Sequence, residues 1–165
     1  MHHLFIKKRL TLFITLILAT LLAGSTLADA QPNITLPEIG ETITTERAIE
    51  LCRHYRFQYL VDRITAHPER YKSWRFDGVS MAPDGLFAWL FGIPNITEIA
   101  LRHDLKYAYG EKGNTAERRA ADLALKQEIK EDGGSAWIAR VMFKAVNRFG
   151  KEKYQTSYSW AFAHY

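Results

Sequence analysis

Cysteine is almost absent: Cys52 is the only one in 165 residues. That excludes an internal disulfide, and with it the small folds that depend on covalent staples. No His or Cys partner pattern surrounds Cys52, so it reads as a small buried apolar residue rather than a reactive thiol. A bilayer-spanning run is lacking as well. The polar-poor stretch from Leu10 to Ala23 is shorter than the roughly 20 residues that a spanning helix needs. Charge of one sign is also missing, since 22 Lys and Arg face 18 Asp and Glu. Such a balance gives none of the concentrated positive field that nucleic-acid binding requires. There is no repeat or compositional bias, and hydrophobic usage of 47% is that of a globular chain.

What is present begins with a targeting pattern. Lys7, Lys8 and Arg9 precede the apolar run, and Ala28-Asp29-Ala30 offers a small-x-small cleavage site, so residues 1–30 are expected to be a secretory signal peptide. Cleavage near Ala30 implies a secreted or periplasmic protein and leaves residues 31–165 as a single domain without a transmembrane segment. Removing three of the 22 basic and one of the 18 acidic side chains leaves a net charge of +2, enough for weak attraction to anionic lipid. Sequons occur at Asn33-Ile34-Thr35 and Asn95-Ile96-Thr97 and carry little weight, the second lying at an expected helix start.

Periodicity points to a mainly all-α fold. Ile49, Cys52, Tyr55, Tyr59 and Ile64 recur at mostly three- and four-residue steps, which predicts one amphipathic helix over Thr44–Arg63. Trp74 to Gly85 reads as an irregular loop rich in Gly, Ser, Pro and Asp. The apolar run Leu86–Ile93 is too short to assign by period. Asn95 and Glu98 form a capping-box pair, predicting a helix from Ile96 to about Tyr109-Gly110 with Ile96, Ile99, Ala100, His103 and Tyr107 on its inward face. Asn114 and Glu117 form a second such pair, opening a helix that ends at Gly133-Gly134 and turns Ala121, Asp122, Leu125 and Ile129 inward. A third helix, from Ser135 to Gly150, is expected to bury Ile138, Val141, Met142, Ala145 and Phe149. The tail Tyr154–Tyr165 alternates aromatic and small residues, as a short strand or an extended strap would.

Two helices joined by the short Gly110–Gly113 loop should pack antiparallel and bring His103 to Asp122. A buried carboxylate needs a partner, and an inward imidazole whose tautomer is fixed by that carboxylate has the make-up of a general base. Asp104 sits about 100° around the helix from His103. If the Trp74–Gly85 loop covers that face, Asp77 and the Gly78 carbonyl join Asp104 in an all-oxygen set of the kind calcium prefers. Plainer readings stand beside these. His103 is then a hydrogen-bonded core residue, Asp122 a structural partner of Arg118 one turn back, and Asp77 a turn residue.

Phe76-Asp77-Gly78-Val79-Ser80-Met81-Ala82-Pro83-Asp84, followed by Arg102-His103-Asp104-Leu105-Lys106-Tyr107 and then Asp122, resembles the bacterial and fungal branch of the secreted phospholipase A2 family. The likeness runs from about residue 74 to 150, and Ala145-Val146-Asn147-Arg148-Phe149-Gly150 shares it. It implies a phospholipase A2-like helical fold in which His103 is the general base, Asp122 its orienting partner, and Asp104, Asp77 and Gly78 the ligands of Ca2+. Tyr107 matches a tyrosine that positions the dyad, a role it shares with ordinary core packing. The implied reaction is hydrolysis of the sn-2 ester of a glycerophospholipid at a membrane or micelle interface, releasing fatty acid and lysophospholipid. Val79 and Leu101 stand where the family commonly has cysteines, and the extra apolar segment Leu86, Phe87, Trp89, Leu90 and Phe91 is either a lip of the acyl channel or core. Two alternatives remain from other classes: a catalytically silent lipid- or protein-binding relative, and a His-Asp metal phosphohydrolase. The latter wants further inward ligands, and His54, His67 and His164 lie outside the stripe of His103.

Overall fold

The computed structural model describes residues 34–79 and 92–164. The expected signal peptide, Asn33 of the first sequon, and residues 80–91, which hold the end of the expected Trp74–Gly85 loop and the Leu86–Phe91 segment, lie outside the described residues. What is described is mainly helical: α1 (Thr45–His54), α2 (Gln58–Ala66), α3 (Ile96–Ala108), α4 (Thr115–Glu131) and α5 (Ala136–Phe149). Beside them β1 (Thr42–Ile43) and β2 (Trp74–Arg75) pair antiparallel, Thr42 opposite Arg75 and Ile43 opposite Trp74. No helix among the described residues is long and apolar enough to cross a membrane.

The single helix expected over Thr44–Arg63 is two. Thr44 caps α1 by accepting from the Arg47 N–H at 3.2 Å, as its position promises. The break comes at Arg56, which takes φ +58°, while the Arg56 N–H donates to the Arg53 carbonyl and the Phe57 N–H to the Cys52 carbonyl at 2.8 Å. That pair of bonds is a Schellman ending, normally marked by glycine in the left-handed position. An arginine there costs backbone strain and leaves no mark in the periodicity, so the stripe reads straight through. The same ending closes α4 with the expected glycine: Gly133 has φ +97° and the Gly134 N–H reaches the Ile129 carbonyl at 2.8 Å.

Helix α3 starts at Ile96 as expected, but the Asn95–Glu98 capping box does not form. Asn95 makes no side-chain cap. Its N–H and side-chain amide instead donate to the Asp132 carboxylate at 2.7 and 2.6 Å, tying the start of α3 to the end of α4, while Glu98 pairs with Arg102. At α4 the box half-forms: Asn114 accepts from the Glu117 N–H at 3.0 Å, and the Glu117 carboxylate goes to Arg63. Ser135 caps α5 through the Ile138 N–H.

Helix α3 is buried on two sides, not one. Ile96, Ile99, His103 and Tyr107 face α4, while Leu101, Leu105 and Ala108 join Leu51, Leu60 and Ile64 of the α1–α2 pair. Complete burial of a Leu stabilises by about 1.5–3 kcal/mol, so this second face, not anticipated by the stripe, holds the N-terminal helices. On α5, Ile138 is buried and Met142 packs beside it, but Val141 and Phe149 are 41% and 57% exposed. Their expected burial is corrected: Val141 stands at the edge of the strip formed by Ile138, Ala139, Met142 and Val146, turned about 60° from Ile138 towards solvent, and Phe149 is the last residue of the helix.

The tail, described as far as His164, forms no strand there; it straps the core. The Trp160 N–H donates to the Gly150 carbonyl, the Ala161 N–H to Tyr107, and the Lys72 N–H to Ala163, at 2.9, 2.7 and 2.8 Å. Trp160 is 1% exposed, and a Cβ at Gly110 would lie 2.1 Å from its ring. Gly110→Ala is therefore expected to cost about 1–3 kcal/mol through overpacking, read as a lower urea midpoint; an unchanged midpoint would show that Trp160 can give way. Burial pushes the Cys52 thiol up to about 12, so it should resist a thiol reagent at mild alkaline pH until the chain unfolds. Stoichiometric labelling of the native protein would contradict this.

Candidate active site

The α3–α4 packing sets everything that follows. Asn95 meets Asp132, Arg102 meets Glu128, and Tyr107 and His103 meet Asp122. As residue numbers rise along α3 they fall along α4, so the two helices run antiparallel, as the short loop implies. Arg63 of α2 secures that loop from outside by donating to Glu117 at 2.7 Å and to the Tyr109 carbonyl at 2.9 Å.

Asp122 is completely buried, and four groups surround its carboxylate. Oδ1 accepts from the Tyr107 hydroxyl at 2.5 Å and lies 3.5 Å from His103 Nε2. Oδ2 accepts from Arg118 Nη1 at 3.1 Å and from the Asn147 amide at 3.2 Å. The imidazole is the most distant of the four, so the structural pairing with Arg118 and the contact with His103 coexist. Desolvation on this scale is tolerable only because a full charge and several donors compensate it.

His103 is 7% exposed and lies between two acids. Nε2 faces Asp122, and Nδ1 lies 3.7 Å from Asp104 Oδ1. Burial by itself lowers the imidazole's pKa, but hydrogen bonding and charge from Asp104 and Asp122 outweigh it and the net direction is upward. The ring also tilts over Tyr107, with centroids 4.2 Å apart. The Tyr107 phenol is itself pushed up, first by burial and then by the Asp122 charge, so it stays a donor.

Asp104 is a quarter exposed and faces away from Asp122. Burial raises its pKa, His103 lowers it, and the charge of Asp77 raises it again. Asp77 is exposed, and Gly78 is buried with φ +68°. Two carboxylates within mutual repulsion, beside a glycine whose backbone is turned into the left-handed region, are donors of the hard, all-oxygen kind that suits Ca2+. Among the described residues no group of three or more His, Cys, Asp or Glu gathers in metal-holding geometry, so a calcium ion here needs backbone carbonyls as well. Among the described residues, His164 and His67 are engaged away from the dyad: His164 contacts the Gly110 carbonyl, and His67 lies beside Glu69.

Sequence reasoning did not assign Asn147 a role. Its side chain crosses from α5 to Asp122, and a lone Asn near the end of an amphipathic helix carries no signal of that. Gly150 likewise proves necessary for more than ending a helix. A Cβ there would stand 2.6 Å from the Tyr107 hydroxyl, so the absent side chain leaves room for the Tyr107–Asp122 bond.

Tyr107→Phe removes a donor from a buried carboxylate, and about 1.5–3 kcal/mol of stability should go with it. Tyr109→Phe gives up only the neutral bond from Trp74 Nε1 at 3.2 Å, about 0.5–1.5 kcal/mol. Denaturant unfolding of the two variants compares them directly, and an equal or reversed order would mean that Asp122 does not depend on the phenol.

A scan against protein-family models finds no match to the chain, and searches of curated proteins and of solved structures find none either.

Proposed function

We propose that the chain is a calcium-dependent phospholipase of the phospholipase A2 type, hydrolysing the sn-2 ester of glycerophospholipids to a fatty acid and a lysophospholipid. The observation that carries this reading is the placement of His103 between two carboxylates on its two ring nitrogens, Asp122 at Nε2 and Asp104 at Nδ1.

With Nε2–H directed at Asp122, the neutral imidazole keeps its lone pair on Nδ1, on the side of Asp104. There Nδ1 takes a proton from a water as that water attacks the ester carbonyl, and the nearby carboxylates stabilise the imidazolium that results. The same proton is then passed to the departing alcohol. Tyr107, Arg118 and Asn147 hold Asp122 so that the imidazole does not rotate. A calcium ion held by the Asp104 and Asp77 carboxylates and the Gly78 carbonyl would supply polarisation of the ester carbonyl and stabilisation of the oxyanion. The likeness in residues 74–150 to the bacterial and fungal secreted phospholipases supports the same assignment, as does an α3–α4 pair carrying the dyad.

A second reading has one observation in its favour. Asp122's shorter contacts are to Tyr107, Arg118 and Asn147, not to His103, which is what a structural hub in a silent lipid- or protein-binding relative would show.

One assay separates them: fatty-acid release from mixed phospholipid vesicles, with calcium and with excess chelator. The wild type should be active only with calcium, and His103→Ala should lose about 10²–10⁴-fold, the range of a general base. Asp104→Asn should weaken the calcium requirement's midpoint with the fold intact. Release that survives the chelator or the loss of the imidazole would refute the mechanism, and absence of release from folded wild type would favour the silent relative.

A further inference from the structure

Charge on α4 and α5 is sorted by direction. The acids of α4 turn towards the rest of the domain: Glu117 to Arg63 at 2.7 Å, Asp122 into the buried cluster, and Glu128 to Arg102 and Lys106 at 2.8 and 3.3 Å. Glu131 lines the groove shared with Asn95 and Arg102 on the α3 side. The other side of the same helix carries Arg119, Leu123, Lys126 and Lys130, at steps of four, three and four that place them in one stripe. Leu123 is 44% exposed.

Helix α5 continues this face. It has no acid, nor has the chain from Ser135 to Lys151. Arg140, Lys144 and Arg148 follow one another at four-residue intervals, and Trp137 and Val141 stand among them, Trp137 at 66% exposure. The ammonium of Lys126 lies 5.6 Å from the Phe143 ring, so the two stripes adjoin.

We propose that this outward face of α4 and α5 is a docking surface for an anionic lipid membrane. Six cations without an interleaved acid complement a layer of lipid phosphates, and the chain's small net charge makes this a local field rather than a general one. Trp137, Val141 and Leu123 select lipid over other polyanions, because a helix with basic and apolar side chains on one face buries the latter at the headgroup boundary, where Trp is favoured. A second copy of the chain does not fit, since the face would meet its own positive charge. The inference goes beyond the hydrolase reading: docking needs neither His103 nor bound calcium.

The test is co-sedimentation of the full chain carrying His103→Ala, which separates docking from turnover, with vesicles of phosphatidylcholine alone or mixed with phosphatidylglycerol. Binding is expected only to the mixed vesicles and should weaken with added salt. The triple variant Arg140→Glu/Lys144→Glu/Arg148→Glu should bind at least about 100-fold more weakly, at about fivefold for each cation lost. A control with the same charge change elsewhere, Arg53→Glu/Arg70→Glu/Lys72→Glu, should lose far less. Any binding by the Leu10–Ala23 run is common to all these proteins and cancels in the comparison. Trp137→Ala should weaken binding without changing the melting temperature, and neutral glutamines at 140, 144 and 148 repeat the test should the triple glutamate variant melt early. Equal loss in both triple variants, no loss in either, or equal binding to neutral vesicles would overturn the proposal. So would a nucleic-acid duplex that binds as tightly with the same dependence on residues 140, 144 and 148. Vesicle binding without fatty-acid release from the wild type would leave this proposal standing and remove the hydrolase reading; release from a dispersed short-chain substrate without vesicle binding would do the reverse.

Discussion

The mutual packing of α3, α4 and α5 turns on satisfying one carboxylate inside the protein. Asp122 has no solvent contact, and an isolated charge so placed would cost several kcal/mol. Its donors come from three helices: His103 and Tyr107 of α3, Arg118 of α4 itself, and Asn147 of α5. Satisfying one side chain therefore fixes the register of α3 against α4 and brings α5 to both. A slide by one turn along either helix would strand the carboxylate, which gives the packing a specificity that the apolar contacts of Ile99, Leu125 and Ile129 do not supply alone.

The second requirement is room. Tyr107 reaches Asp122 only because Gly150 has no side chain, and it is held from behind by the tail, whose Ala161 N–H binds the Tyr107 carbonyl and whose Trp160 ring packs edge-on at 5.2 Å. Trp160 in turn fits because Gly110 is bare. A C-terminal strap and two glycines some forty residues apart thus act on one phenol. This is long-range dependence of a kind that limits how far the α3–α4 pair is separable from the chain that follows it.

These features explain what the sequence disclosed and what it concealed. The inward facing of His103 and Asp122 was legible, because three- and four-residue spacing places both on apolar stripes and a four-residue loop leaves antiparallel packing as the simple solution. The ends of α4 and α5 were legible for the same local reasons, with Asn114, Gly133, Ser135 and Gly150 in characteristic positions. Arg56 concealed the break between α1 and α2 because a non-glycine left-handed residue looks like any other helical arginine. Asn95 misled because its backbone N–H and side-chain amide nitrogen donate to Asp132, 37 residues away, instead of the side chain turning its oxygen to the helix start. The partners of Asp122 were legible only in part: Arg118, one turn back, was visible from spacing, whereas Asn147 lies on another helix and no local pattern reports it. Leu101 and Leu105 hid a second buried face of α3 because a single-stripe reading stops at the first face it finds.

The two acids beside His103 are not equivalent, and the difference bears on what the site is for. Asp122 is balanced by Arg118 and crowded with donors, so its charge is largely spent on holding structure and orienting Nε2. Asp104 faces another carboxylate, Asp77, whose charge raises its pKa together with burial. One side of the imidazole thus meets a carboxylate held by Tyr107, Arg118 and Asn147, while the other meets the quarter-exposed Asp104, which His103 itself helps to keep ionised. Asp104 is the acid common to the imidazole and to the proposed calcium ligands, and for that reason the proposed mechanism and the proposed metal stand or fall at Asp104 rather than at Asp122.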